Sequence, residues 1–219
     1  MMSRPTIIIT HGLGRKKPDF HKKLERRLKK RLDCNVIPFF YSDILQVNQN
    51  KNYEPYEKLG NQLIRKFMFH NFSDAVTYYQ PEVYEKVHRR LARVLARAVL
   101  EDGPVVLIAP SLGGQVVMDH IWDTQKRLDI DHSLIDLLIT NGCNIPLFVS
   151  GLDRIAHIKQ DLYWINFYDK ADVLGYPLAP LGYQAQDIRV RTHAWLFSHL
   201  RYWSNKRFLS TVVRAIERL

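Results

Sequence analysis

Cysteine is nearly absent from this 219-residue chain, which has only Cys34 and Cys143. Two thiols cannot build the disulfide framework of a small secreted domain, and their scarcity points to a reducing compartment, so the cytoplasm is the expected location. Long apolar runs are also missing. No stretch reaches the roughly 18 apolar residues that a spanning helix needs, and the early run Ile7-Ile8-Ile9 is broken at His11, too soon to form the core of a signal peptide. There is no HExxH, no P-loop lysine and no GxGxxG, and the two cysteines stand alone. Neither a metal nor a cofactor is therefore expected. Internal repeats and low-complexity segments are lacking too, which leaves one ordinary folded unit as the expectation.

What is present fits that expectation. At 46% hydrophobic and 25% charged residues, the composition is that of a globular domain with enough apolar material for a proper core. Acidic residues are outnumbered, giving a net charge of +10, but the excess is local. Between Arg15 and Arg31 ten Lys and Arg face only Asp19 and Glu25, a balance of +8. Phe20, Leu24, Leu28 and Leu32 recur every four residues through the same stretch, predicting an amphipathic helix with the cations on its outer face. A solvated surface is the plain reading of that face. Its functional reading is contact with an anionic membrane surface; without interleaved aromatics or a recognition motif, nucleic acid is not the expected partner.

Five short, β-branched or aromatic runs have the length of strands: Thr6 to Thr10, Cys34 to Phe40, Pro104 to Ala109, Ser133 to Thr140 and Leu162 to Tyr168. They are near-continuous rather than alternating and are separated by helical patterns, as strands of a parallel sheet buried on both faces should be. One helix is predicted from the stripe Val83, Val87, Leu91, Val94, Leu95 and Ala98, ending near Gly103-Pro104. Another runs from directly after Ser111 towards Leu128, and a last one spans about Asn205 to Arg218. Tyr41 to Gln80, about forty residues, is too long for an ordinary connection. A helical pattern from Glu54 to Phe69 and the aromatics Phe72, Tyr78 and Tyr79 predict an insertion there, covering the sheet edge as a helical lid.

The chemistry centres on Val105-Val106-Leu107-Ile108-Ala109-Pro110-Ser111-Leu112-Gly113-Gly114, a strand, a serine among small residues, and then a helix. A serine on so sharp a turn needs small residues two before and two after it, a requirement that Ala109 and Gly113 meet. The N–H of Leu112 would then point at a developing oxyanion from the start of the helix. Upstream, the first strand ends in His11-Gly12-Leu13-Gly14, where the N–H of Leu13 is the expected second oxyanion donor and His11 is expected to shape the loop. Downstream, the fifth strand runs into Asp169-Lys170-Ala171-Asp172, and His193 and His199 follow. Serine, acid, histidine is the chain order of the α/β-hydrolase arrangement, not of the chymotrypsin or subtilisin types.

On these residues the chain resembles the bacterial α/β-hydrolases of the small lipase and esterase kind, over nearly its whole length. Thr140 to Phe148, Asn166 to Asp169 and Gly175 to Leu178 add to the resemblance. Ala109 stands where the family has Gly, and Pro110 where it usually has His or another polar residue. The resemblance implies an α/β-hydrolase fold in one domain, 1–219, with the family's early hairpin strands absent and the strands ordered 2-1-3-4-5. It also implies a catalytic triad of Ser111, Asp172 and His199. Asp172 is preferred over Asp169 for its place in the loop, and His199 over His193 because it sits in the block resembling the family's last catalytic segment. The implied activity is hydrolysis of a small-molecule or lipid ester. A thioesterase or acyltransferase would use the same triad, and a non-catalytic hydrolase-like protein binding membrane or nucleic acid through Arg15 to Arg31 is the rival from another class.

Overall fold

The computed structural model describes residues 4–14, 16–45, 73–128, 134–149, 162–193 and 195–219. The strands form where apolar runs are densest. They are β1 (Thr6–Thr10), β2 (Asn35–Phe39), β3 (Val105–Pro110), β4 (Leu137–Asn141) and β5 (Tyr163–Tyr168), joined by a sixth, β6 (Gln186–Arg189). All pair in parallel in the order β2-β1-β3-β4-β5-β6. The expected order therefore holds, extended by one strand. β6 escapes a hydropathy search because its sequence, Gln-Asp-Ile-Arg, is that of an edge strand, and none of its four residues is fully buried.

Helices among the described residues include α1 (Lys22–Lys29), α2 (Ser42–Leu45), α3 (Pro81–Val99), α4 (Leu112–Leu128), α5 (Ile145–Val149) and α6 (Lys206–Ile216). α3 starts with Pro81 in its first turn, where a missing N–H costs nothing, and α6 is capped by the Asn205 side chain, which accepts from the Phe208 N–H. The sheet divides two cores. Ile8, Leu107 and Leu138 pack with Val87, Leu91 and Leu95 of α3 and Val116 and Val117 of α4. Ile7, Ile9, Ile108 and Ile139 point the other way, onto Leu24 and Leu28 of α1 and Phe208, Val212 and Ile216 of α6. This two-sided burial is why the strand sequences show no polar alternation.

The expected helix Glu54 to Phe69, and Phe72 with it, lie outside the described residues. The flank that follows is helical over 73–78 and belongs to the core. Tyr78 is fully buried and donates to Asp119 of α4 at 2.9 Å, and the Gly14 N–H donates to buried Asp74. Strand order reverses on either side of β1, so the loops after β1 and β3 flank the switch point, where open α/β sheets place their sites.

Candidate active site

Ser111 follows the last residue of β3 and precedes the first residue of α4, at φ +52°. That left-handed conformation costs a non-glycine residue on the order of 1–3 kcal/mol, a strain that surrounding contacts must hold. Two of them are backbone bonds: Ser111 N–H donates to the Asn141 carbonyl at 3.0 Å, and the Ser111 carbonyl accepts from Gly114 N–H at 2.9 Å. Pro110 is tolerated because it ends the strand, beyond the last β1–β3 pair Ile9↔Ile108. The requirement for small residues is physical here. A Cβ on Gly113 would lie 2.6 Å from the His11 carbonyl oxygen, and one on Gly12 would lie 2.7 Å from the Ser111 Cβ. The two loops therefore touch.

His11 ties its loop down. Its Nε2 accepts the Tyr41 N–H at 3.1 Å, which leaves the proton on Nδ1 to donate to the Gly12 carbonyl at 2.9 Å. The Tyr41 hydroxyl donates to the His11 carbonyl at 2.7 Å, and the two rings stack at 4.0 Å. Burial pushes the imidazole down to about 4, so it stays neutral. A ring with both nitrogens committed to backbone is structural, as the sequence suggested.

Of the two candidate acids, Asp172 meets a histidine. His199, on the 3-10 turn Trp195–Leu200, places Nδ1 2.9 and 3.1 Å from the two Asp172 oxygens. An ionised carboxylate only accepts, so the proton belongs on Nδ1 and Nε2 is left with its lone pair. Asp172 also accepts from Leu174 N–H at 3.0 Å and from the Tyr202 hydroxyl at 2.9 Å. Tyr202 in turn accepts from the Asp169 N–H at 2.9 Å. Burial and the adjacent Asp172 raise its phenol well above the usual value, keeping it a donor. Sequence reasoning missed this tyrosine, although it lies only three residues beyond His199.

Asp169 is engaged elsewhere. Its oxygens accept from Thr192 N–H (2.7 Å), Thr192 Oγ1 (2.9 Å) and Ala171 N–H (3.1 Å). Burial alone would raise its carboxyl, but these hydrogen bonds and Arg189 outweigh it and hold the group below its ordinary value. His193 is exposed and lines a different cleft.

Ser111 and His199 line one cavity of about 150 Å³, walled by Leu13, Phe20, Leu200 and Trp203. Ser111 Oγ is buried and has no hydrogen-bond partner among the described residues, His199 included, an uncommon state for a hydroxyl. Such contacts are often long in unliganded sites and tighten around substrate. Lys16 shares the cavity, its ammonium lowered by burial. Among the described residues no cluster of His, Cys, Asp and Glu is placed to hold a metal ion, and no helix is long and apolar enough to cross a membrane.

A six-stranded parallel sheet flanked by helices, with the candidate site at its switch point, defines an α/β fold. No protein-family model matches the chain, and no curated protein matches it. Among solved structures it is similar to the crystal structure of the esterase PE8, with a TM-score of 0.53 and 12% sequence identity, over 99% of this chain and 93% of that one. At that identity the likeness shows the fold alone.

Proposed function

We propose that this protein is a serine hydrolase that cleaves carboxylic or lipid acyl esters through Ser111, His199 and Asp172. One observation carries the proposal: Asp172 holds His199 Nδ1 at 2.9 Å beside the cavity that Ser111 lines from a strained turn. Nε2 takes the Ser111 proton as Oγ attacks the ester carbonyl, and Asp172 stabilises the imidazolium. The N–H groups of Leu13 and Leu112 hold the oxyanion, the latter from the positive end of α4. The imidazolium gives its proton to the departing alkoxide, leaving an acyl-Ser111 ester. Water, deprotonated by His199, then attacks that ester; the acid leaves and Ser111 regains its proton. The apolar walls Leu13, Phe20, Leu200 and Trp203 support an apolar acyl group, and the likeness in fold to an esterase agrees with the chemistry.

An active-site fluorophosphonate should label the intact protein at one site, and Ser111→Ala should abolish both labelling and hydrolysis of p-nitrophenyl esters. Unchanged labelling in a folded Ser111→Ala protein would end this proposal. A matched series of oxyesters and thioesters then reports acyl length and leaving group.

A further inference from the structure

The wall that carries His199 has a second side. Along residues 199–204, His199, Leu200, Tyr202 and Trp203 line the Ser111 cavity, whereas Arg201 and Ser204 line a separate cleft of about 790 Å³. That cleft gathers five cationic side chains, Arg189, Arg191, Arg201, Lys206 and Arg207, together with His193. No carboxylate lines it, and among the described residues none of the five forms an ion pair within 4.0 Å, although Arg189 is near enough to Asp169 to lower its carboxyl. Converging like charges repel, so the arrangement works against the free protein.

Two further features compound that cost. Lys206 and Arg207 open α6, an 11-residue helix with no acidic residue in its first turn, so cations sit at the positive end of a helix dipole. His193 holds φ +55°, and Ser111 is the other positive-φ non-glycine among the described residues. A bound anion would relieve both the repulsion and the dipole mismatch.

We propose that this cleft binds a ligand group carrying two or more phosphates. Guanidinium forks match phosphate oxygens in pairs, and the first N–H groups of a helix supply further donors. A volume of about 790 Å³ exceeds what one phosphate fills and lies within the range of small-molecule sites. The phosphates could belong to a soluble molecule or to a lipid headgroup, since the recognition chemistry is shared. The proposal is independent of the hydrolase proposal, because no cleft residue takes part in the Ser111 chemistry.

The test measures binding of inorganic pyrophosphate and tripolyphosphate by calorimetry at near-physiological salt. A second arm measures flotation with phosphatidylcholine vesicles with and without a phosphatidylinositol bisphosphate. Three proteins are compared: the native chain, Arg191→Gln/Arg201→Gln/Lys206→Gln, and Lys22→Gln/Arg26→Gln/Lys30→Gln. The last removes the same charge from the exposed face of α1 but spares Lys23 and Arg27, which reach Ser204 and the Trp203 carbonyl at the rim. The cleft variant should bind on the order of tenfold more weakly or worse, given the strength of charge-assisted bonds, with the α1 variant unchanged. Pyrophosphate binding with this pattern identifies a soluble source, and vesicle binding alone with the same pattern identifies a headgroup. Thermal melts show that each variant is folded. No binding of either probe, or equal loss in both variants, overturns the proposal. Ser111→Ala protein should bind as the native chain does, so a failed hydrolase test leaves this one standing.

Discussion

The two aspartates after β5 allow a sharp test, because they differ only in their partners. In Asp172→Asn the new amide keeps the shape but brings a donor to His199 Nδ1, where a carboxylate now accepts at 2.9 and 3.1 Å. The imidazole is then driven to the opposite tautomer, with the proton on Nε2, and the base facing Ser111 is lost. By analogy with the same exchange in other triads, kcat should fall on the order of 10⁴-fold, about 5.5 kcal/mol of barrier, with KM little changed. In Asp169→Asn the amide meets three donors, Thr192 N–H, Thr192 Oγ1 and Ala171 N–H. At most two of them keep an acceptor oxygen. The donor left over is only part-buried, which predicts a stability loss of about 1 kcal/mol but near-native kcat. Hydrolysis of p-nitrophenyl butyrate, fluorophosphonate labelling rates and urea unfolding on both variants separate the two effects. An Asp172→Asn protein that is folded and retains more than a tenth of native kcat would refute the assignment, as would an inactive, folded Asp169→Asn.

Tyr202→Phe removes the hydroxyl that joins Asp172 to the Asp169 N–H. It should lower stability by about 1–3 kcal/mol and reduce kcat roughly tenfold without raising KM, measured by urea unfolding and steady-state kinetics; an unchanged kcat would show that the Tyr202 bond does not position Asp172. His11 is held neutral, pushed by burial to about 4 from an unfolded value of 6.5. Because its folded value is the lower one, the unfolded chain takes up the proton first. The stability it contributes is complete above about pH 6.5 and is lost as pH falls towards 4, about 3 kcal/mol in all. Urea titrations at pH 7 and pH 4.5 should show this loss in the native protein and a shallower one in His11→Gln. Equal slopes would remove His11 from the account.

Much of the fold was legible because burial on both faces leaves a local trace. Ile7-Ile8-Ile9 and the Val105 to Ala109 run could be little else than central strands, and the four-residue recurrence of Leu24 and Leu28 showed which face of α1 packs inward. The elbow was legible for a similar reason: a strained turn in close contact with another loop tolerates few residue types, and Ala109, Gly113 and Gly12 are among them. β6 and the short helix α5 left no such trace. The first is a polar edge strand, and the second is a single turn of five residues.

By itself the sequence determined the class of sheet and the chain order of serine, acid and histidine, since each depends on residue type or on succession along the chain, whereas the strand order was implied only by the family resemblance. Tertiary structure alone decided which carboxylate meets His199. Asp169 and Asp172 are three residues apart on one loop, and their partners, Thr192 for one and His199 with Tyr202 for the other, are 20 or more residues further on. It also decided where positive charge converges. Lys22, Lys23, Arg26 and Lys29 lie exposed along α1, whereas Arg189, Arg191, Arg201, Lys206 and Arg207, unremarkable in sequence, meet in one cleft because β6, the His199 turn and the start of α6 fold together there.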